Sequence, residues 1–404
     1  MKITSVDIME LKPRHDKQWR PIVCRVNTDE GIYGYGEAAM AYGVGASAAF
    51  GMIKDLSANI IGMNPLENEV VWDKLYKGTF WGQNGGPVVF GGISAIDIAL
   101  WDIKGKYFNV PVYKLLGGKR REKLRTYASQ LQFRWGDGVN PVYATEDYAA
   151  AAKHAVSEGY DAIKIDFFTY DRDGRQFSSE DTTRLLKPYY IDLVEERVAA
   201  VREAVGQNVD IIMECHSFTD VQSAIQIGKR VEKYNIFCYE EPITPSPKLT
   251  KLVADNINIP IASGERIYTR WGYAPYFENG SLALIQPDLG TCGGITEGKK
   301  ICDMAYTYDV SVQVHVCASP LSVAAALQLE AVIPNFCIHE HHVVNRASYN
   351  RELCNHDYQP VDGYMTIPEL PGIGNELSEY ALKTAGMVTV STAKVFKMEK
   401  SGNN

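Results

Sequence analysis

The sequence has no excess of basic residues, since 41 lysines and arginines stand against 49 aspartates and glutamates, and the formal net charge is −8. A surface that binds nucleic acid needs clustered Lys and Arg to neutralise phosphates, and no face rich in these residues is evident. We therefore expect no nucleic-acid partner. The mildly acidic balance mainly indicates a soluble protein.

Long apolar runs are also missing. No run reaches 18 apolar residues, and the N-terminus lacks the basic stretch followed by an apolar stretch that marks a signal peptide. The eight cysteines show no Cys-x-x-Cys spacing, and several lie inside apolar runs. We predict buried, reduced thiols in a cytoplasmic protein with no membrane partner, rather than disulfides or a thiolate metal site.

The 404 residues suffice for one large α/β barrel plus an accessory domain. The first 125 or so predict an α+β unit, with strands over 2–11 and 22–28 and a glycine-rich turn over 31–37. Apolar residues at helical spacing over 95–103 predict a helix, which Pro111 brings to an end.

From about residue 127 onwards, short apolar or β-branched runs alternate with helical patterns such as 192–206. The predicted strands are 161–168, 209–216, 236–242, 259–265, 283–289, 311–316 and 335–340. Continuous apolar strands alternating with helices are typical of a parallel sheet covered on both faces.

A polar residue ends most of these strands, at steps of 23 to 27 residues. The residues are Glu214, Glu240, Glu265, Asp288, His315 and Glu340. This step matches one βα unit of a barrel, and polar groups at the carboxyl ends of successive strands favour a ring that converges on one mouth over an open doubly wound sheet.

Three of these residues, Glu214, Glu240 and Glu265, are carboxylates on consecutive strands. Placed together without a cation they would repel one another and raise one another's pKa. Oxygen ligands suit Mg²⁺, so a magnesium site is predicted. Ion pairs with Lys and Arg at the barrel rim are the alternative for each acid taken singly.

Several motifs, in this order and spacing, resemble the enolase superfamily, mandelate racemase subgroup. They are ISAIDIALWDIKGK, GYDAIKID, ECH, CYEEP, ASGER, QPDLGTCGGITEG and HVCASP. The resemblance covers essentially the whole chain, and sugar-acid dehydratases of the galactonate and mannonate type look most similar. It implies a (β/α)7β barrel under an α+β capping domain that the C-terminal tail completes. The expected bounds are 1–125 for the capping domain, 126–345 for the barrel and 346–404 for the returning tail.

The resemblance also implies a reaction. A metal binds the substrate carboxylate, a base removes the α-proton, and an enediolate forms; a Lys or His base working with Mg²⁺ is the general pattern of this superfamily. The implied ligands are Glu214, Glu240 and Glu265, with Glu241 structural. The family usually has Asp at the first ligand, so Glu214 is one methylene longer.

The implied base is His315, oriented by Asp288 as a His–Asp dyad. His216 shares a strand face with Glu214 and is the expected general acid for the departing β-hydroxyl. Lys164 matches the first lysine of the family's KxK motif and is expected to neutralise the enediolate. The second lysine is Asp166 here, for which three roles stay open: binding a substrate hydroxyl, tuning Lys164, or a salt bridge alone.

Further residues are expected to contact substrate. Glu340 would hydrogen-bond the substrate carboxylate as a protonated or shared carboxyl, which burial can provide. Arg266 is a weaker candidate, with a rim ion pair as its alternative. His339, His341 and His342 cannot all face one ion on alternating strand positions and are left unassigned. Candidates on the capping-domain loops are Arg14, His15, Trp19, Arg20, Tyr42 and Trp81, each of which could equally be plain surface.

The first hypothesis is therefore Mg²⁺-dependent dehydration of an aldonic or aldaric acid to a 2-keto-3-deoxy acid. The loss of one lysine base makes a racemase less suitable, but an epimerase or cycloisomerase of a carboxylate sugar remains the alternative within the class. A non-catalytic sensor homologue is the alternative outside it. The expected partner is a small sugar acid, and barrels of this kind often form homo-oligomers.

Overall fold

The structure is a computed structural model that describes residues 1–14, 18–135 and 141–393. The strands, in chain order, are β1 Ile3–Glu10, β2 Ile22–Thr28, β3 Tyr33–Ala38, β4 Lys123–Ser129, β5 Ala162–Asp166, β6 Asp210–Glu214, β7 Cys238–Glu240, β8 Ile261–Ser263, β9 Leu284–Ile285, β10 Ser311–Val312, β11 His339–His342, β12 Tyr364–Thr366 and β13 Gly386–Val390. The α-helices are α1 Ala46–Ser57, α2 Asn68–Lys77, α3 Gly86–Phe108, α4 Val112–Leu115, α5 Thr145–Ser157, α6 Ser179–Thr182, α7 Pro188–Val205, α8 Val221–Val231, α9 Pro247–Ala254, α10 Thr269–Asn279, α11 Gly294–Thr307, α12 Pro320–Glu330, α13 Val343–Arg346, α14 Ser348–Arg351 and α15 Glu379–Thr384.

The N-terminal unit is an antiparallel sheet packed on helices. Its strand order is β13-β1-β2-β3, so β13, the last strand among the described residues, completes the sheet that β1 begins. Helix α3 lies against β3 at very short range: a Cβ on Gly36 would be 2.0 Å from the carbonyl oxygen of Ala95, and one on Gly34 would be 2.1 Å from that of Ala99. Gly34 and Gly36 are therefore needed for helix–strand packing. Residues 33–37, predicted as part of a turn, belong to strand β3 instead.

Helix α3 is apolar on nearly all sides. Among the described residues it is the one helix long and apolar enough to cross a membrane, and 78% of its most apolar window is buried inside the protein. It carries Asp97 and Asp102, both buried and hydrogen-bonded. This is the pattern of a central core helix.

The larger unit is a parallel barrel. Strands β4 to β11 are hydrogen-bonded in the order β10-β9-β8-β7-β6-β5-β4-β11. A parallel bridge between Val312 and Phe336 joins the two ends of this order and closes the ring. A helix connects each strand to the next, which confirms the predicted (β/α)7β barrel. The strands are shorter than predicted because residues such as Asp288 lie in the loops that turn into the mouth.

The C-terminal segment returns to both units. Strand β12 pairs antiparallel with β4 of the barrel, and β13 pairs antiparallel with β1 of the capping sheet. The capping fold completed by the tail is thus present. The numerical domain bounds given above stay a prediction, and β4 spans the first of them.

Carboxylates of the capping domain cap two barrel helices. Glu37 on β3 accepts hydrogen bonds from the backbone N–H of Ser319 at 3.1 Å and from the hydroxyl of Ser322 at 2.8 Å, at the start of α12. Asp97 on α3 accepts from the backbone N–H of Thr296 at 2.9 Å, in the first turn of α11. These contacts fix the capping domain over the strands that carry the catalytic candidates.

Candidate active site

A buried lysine lies at the centre of the barrel mouth. The Nζ of Lys164, on β5, is 2.6 Å from Glu240 Oε1, 3.2 Å from Glu214 Oε2 and 2.9 Å from Glu340 Oε1. Although burial opposes it, the negative charge of Glu240 and then that of Glu340 raise the pKa of Lys164 well above its ordinary value. The structure thus brings Lys164 together with two of the predicted metal ligands.

The predicted ligands form a buried, acidic group. Glu214 ends β6, Glu240 ends β7, and Glu265 follows β8. Burial, and next the charge of Glu214, raise the pKa of Glu240 well above its usual range, and Oε2 of Glu240 is buried without a hydrogen-bond partner among the described residues. Uncompensated carboxylate oxygens of this kind fit a hard divalent cation.

The three carboxylates are held by protein cations in this conformation. Lys164 contacts Glu214 and Glu240, the guanidinium of Arg266 contacts Glu265, and no group of three or more acidic, His or Cys side chains in the described ranges is arranged as a ready metal cage. The donor set fits Mg²⁺ in its chemistry, and binding would displace these ion pairs.

His315 and Asp288 form the predicted dyad. The Nδ1 of His315 is 2.7 Å from Asp288 Oδ2, and its Nε2 is 2.9 Å from Glu265 Oε2. Burial opposes protonation, but the charges of Glu265 and Glu340 and the bond to Asp288 raise the pKa of His315 well above its usual value. The carboxylate on Nδ1 fixes the ring so that Nε2 faces the mouth.

His216 belongs to a second dyad, in which its partner is Asp166. Of the three roles left open for Asp166, the contact observed here is a salt bridge. The Nδ1 of His216 is 2.7 Å from Asp166 Oδ2, while the other oxygen of Asp166 accepts the backbone N–H of Phe168 at 2.7 Å. In the described structure Asp166 orients His216 and has no ion pair with Lys164, and a contact with a substrate hydroxyl stays a prediction. Burial opposes it, but the charge of Glu214 and the bond to Asp166 raise the pKa of His216 to about 9.

The contacts of Glu340 favour an ionised carboxylate over a protonated one, and its predicted hydrogen bond to the substrate carboxylate stays a prediction. Its oxygens accept hydrogen bonds from the Ser129 hydroxyl at 2.7 Å and the backbone N–H of Val316 at 2.8 Å, in addition to the contact with Lys164. Burial raises the pKa of Glu340, but the positive charge of Lys164 and then that of His315 outweigh it and hold the pKa well below its usual range. Three donors therefore already satisfy Glu340 as an ionised carboxylate.

The end of β4 supplies residues that the sequence analysis missed. The Nε2 of Gln130 is 3.4 Å from His216 Nε2, and Oε1 of Gln132 accepts the backbone N–H of Asp166 at 3.2 Å. Gln130 has a left-handed backbone, with φ of 69°. The sequence signal for this strand is the segment KLRTYASQ, which precedes β5 by one βα unit. Its alternating polar residues obscure the apolar pattern expected of a buried strand.

Among the candidates for substrate contact on the rim, Arg266 contacts the carboxylate cluster, and the aromatic residues have other surroundings. Arg266 contacts Glu241 and Glu265, so its rim ion-pair alternative is the one observed. Trp19 is buried and donates to Asn350 Oδ1 at 3.0 Å. Tyr42 and Trp81 are 78% and 73% exposed on capping-domain loops. Their roles stay predictions.

The remaining candidates of the first loop pair with surface acids. Arg14 lies 3.2 Å from Glu352, and Arg20 lies 2.9 Å from Glu10. His15 lies outside the described residues. These ion pairs account for both arginines without a substrate.

Comparison with known families decides the relationship. The model of the mandelate racemase / muconate lactonizing enzyme N-terminal domain matches residues 11–117, and that of the enolase C-terminal domain-like family matches residues 147–381. The chain belongs to the enolase superfamily, mandelate racemase subgroup. The predicted fold and resemblance are thereby confirmed.

Relatives within this superfamily are named dehydratases. The chain is 33% identical to a D-galactonate dehydratase of Ralstonia pickettii, over 94% of this chain and 93% of the relative. It is 35% identical to a D-xylonate dehydratase of Haloferax volcanii, over 87% of this chain and 82% of the relative. At the level of the family, the prediction of a hydro-lyase enzyme is confirmed.

Solved structures of the superfamily have the same fold. A member from Salmonella Typhimurium is 56% identical, with a TM-score of 0.94 over 96% of this chain and 99% of that one. A mandelate racemase/muconate lactonizing enzyme-like protein from Roseovarius sp. TM1035 is 31% identical, with a TM-score of 0.84 over 94% of each chain.

Proposed function

We propose that the protein dehydrates an aldonic or aldaric acid to a 2-keto-3-deoxy acid, with Mg²⁺ as its cofactor. The observation that carries this proposal is the pair of His–Asp dyads. His216 follows β6 and His315 follows β10, and these strands are four positions apart in a closed order of eight. A base and an acid can therefore approach a substrate from opposite sides of the mouth.

The role of each histidine follows from the hydrogen bonds of its imidazole ring. In this conformation Glu265 holds Nε2 of His315 in its protonated form. Once that contact and its proton are released, Nε2 removes the proton α to the carboxylate, since Asp288 holds Nδ1 and stabilises the imidazolium that forms. His216, whose positive form is favoured by Asp166, donates a proton to the departing β-hydroxyl, which leaves as water. The resulting enol tautomerises to the keto acid. A positioned acid or base of this kind contributes about 10²- to 10⁴-fold to the rate.

The metal would be held by Glu214, Glu240 and Glu265. When bound, Mg²⁺ supplies the positive charge that an α-carboxylate needs as its neighbouring carbon loses a proton. The buried ammonium of Lys164 lies beside the same carboxylates and adds a fixed positive charge. Mg²⁺ dependence, a cytoplasmic location and self-association are parts of this proposal.

The substrate class is suggested by the relatives named D-galactonate and D-xylonate dehydratase. The test is a keto-acid assay across C4 to C6 aldonic and aldaric acids, beginning with these two, with Mg²⁺ and with chelator. Mg²⁺-dependent keto acid from one or two stereoisomers is the expected result. The variant His315→Asn lacks the proposed base. Its kcat should be about 10²- to 10⁴-fold lower than that of the wild-type enzyme.

The metal is tested independently of activity. Mg²⁺ that binds the folded protein raises the melting temperature by mass action, and Glu240→Gln should abolish that rise. A folded, Mg²⁺-stabilised enzyme that makes no keto acid from any member of the library contradicts the dehydratase. Solvent deuterium exchange at the α-carbon, accompanied by an epimer, would then favour the epimerase.

A further inference from the structure

The last barrel strand, β11, carries histidines on both of its faces. Nδ1 of His339 is 2.6 Å from Glu330 Oε2, and Nδ1 of His341 is 2.7 Å from the Tyr160 hydroxyl. Glu330 ends the outer helix α12, so His339 points outward from the barrel, and so does His341 two residues later. Because side chains alternate along a strand, His342 shares the inner face with Glu340.

The hydrogen bonding of His342 defines its tautomer. The backbone N–H of Val344 donates to Nδ1 of His342 at 3.1 Å and so caps α13. A ring nitrogen that accepts a hydrogen bond carries no proton, so the neutral ring has its hydrogen on Nε2. Over residues 1–14, 18–135 and 141–393 no group accepts that hydrogen.

Charged side chains of the active site act on the imidazole ring of His342 and on its pKa. Burial lowers the pKa of His342 to about 3, and the charges of Glu340, Lys164, His315 and His216 all act on it. The side chain is partly exposed. His342 is therefore a neutral donor at the edge of the mouth.

A donor is needed there because Glu340 cannot serve as one. The three donors on Glu340 come from Ser129, Val316 and Lys164, and an ionised carboxylate that accepts from them has no hydrogen to donate. A substrate oxygen near this strand must find its N–H or O–H elsewhere. His342 is two residues closer to the mouth, about 7 Å along the strand.

We propose that Nε2–H of His342 binds a hydroxyl oxygen of the sugar acid, beyond the reacting carbons, and so helps to select the substrate. The inference rests on the proposed function, because it assumes that a polyhydroxy acid occupies the mouth. A buried site built to donate to a hydroxyl discriminates against an analogue that lacks it.

Two substitutions separate binding from helix capping. In His342→Asn the amide lies near the position of Nδ1, so the cap on Val344 is kept and the donor at Nε2 is lost. In His342→Gln the amide reaches the position of Nε2, so the donor is kept and the cap is lost. Steady-state kinetics on the library acid that the wild-type enzyme converts, and thermal melting, are measured for both.

We expect His342→Asn to raise KM about tenfold or more at a nearly wild-type melting temperature. His342→Gln should recover most of that KM loss and melt at a lower temperature. The inference is overturned if His342→Asn has a wild-type KM and only His342→Gln has an altered KM or melting temperature. His342 would then act only as a helix cap. A wild-type enzyme that forms no keto acid overturns the proposed function first, and this inference with it.

Discussion

Each of the two proposed catalytic histidines has its Nδ1 held by a carboxylate at 2.7 Å. The carboxylates differ in what else they do: Asp288 also accepts the backbone N–H of Gly290, and Asp166 that of Phe168. Both acids are therefore rigid, and each ring is aimed before substrate arrives. Because the two dyads belong to different strands, one can be disabled while the other works.

Asp166→Asn tests the dyad of His216 in this way. The amide keeps its oxygen on the N–H of Phe168 and turns its NH₂ toward His216, so the imidazolium loses the charge that stabilises it. We expect kcat for keto acid to fall by about 10²-fold or more. Exchange of the α-proton with solvent deuterium should continue, since His315 and Asp288 are untouched.

The ratio of exchange to elimination is thus the decisive measurement for Asp166→Asn. It should rise above the wild-type ratio, while KM changes little. Equal losses of exchange and elimination would contradict a dedicated role for His216 in the departure of the hydroxyl, and would indicate a general disturbance of β5.

At the scale of elements, the helix N-termini α11 and α12 meet carboxylates of the capping domain. Glu37 is fully buried at the start of α12, the helix that follows the His315 loop. Burial raises its pKa to about 7, against an ordinary 4.5. The folded state therefore holds this proton more tightly than the unfolded chain does.

Glu37 should make stability depend on pH. Its favourable contribution is complete below pH 4.5 and is lost as the pH rises through about 7. Relative to Glu37→Gln, the wild-type protein should lose on the order of 3 kcal/mol between pH 4.5 and 8. Melting temperatures of both proteins across this range check the prediction. Asp97, whose pKa is also raised to about 7, titrates in both and cancels in the difference.

Parallel melting curves for the wild-type and Glu37→Gln proteins would contradict this assignment. In that case the serine hydroxyls and the N-terminus of α12 would be stabilising the ionised carboxylate more than burial destabilises it.

The strands differ in how well the sequence predicts them. Apolar, evenly spaced strands such as β6 and β7 were predicted together with the acids that end them, because burial on both faces leaves a continuous apolar run. Strand β4 was missed because Lys123 and Arg125 interrupt the apolar pattern at its start, where Lys123 is exposed and Arg125 partly exposed. The contacts of Asp166 and Glu340 could not be predicted, since they depend on side-chain reach between strands that are far apart in sequence.

At the scale of the molecule, the two ends of the chain meet in one sheet. Strand β13 pairs with β1 from Val6 with Val390 to Glu10 with Gly386, and the Thr389 hydroxyl donates to Asp7 Oδ1 at 2.6 Å. Asp7 is buried and also binds Arg25. The capping domain is thus complete only when the tail that follows the barrel has returned.

A chain that ends at Ala385 tests this closure. It lacks β13 and leaves the edge of β1 unpaired, so we expect the melting temperature to fall by roughly 5 °C or more and proteolysis to begin in the capping domain. Thr389→Val removes one hydrogen bond alone and should cost only about 1 kcal/mol. A chain that ends at Ala393 retains β13 and is the control. If the shorter chain has the same melting temperature as the control, β13 adds no stability. The capping sheet would then be stable with three strands alone.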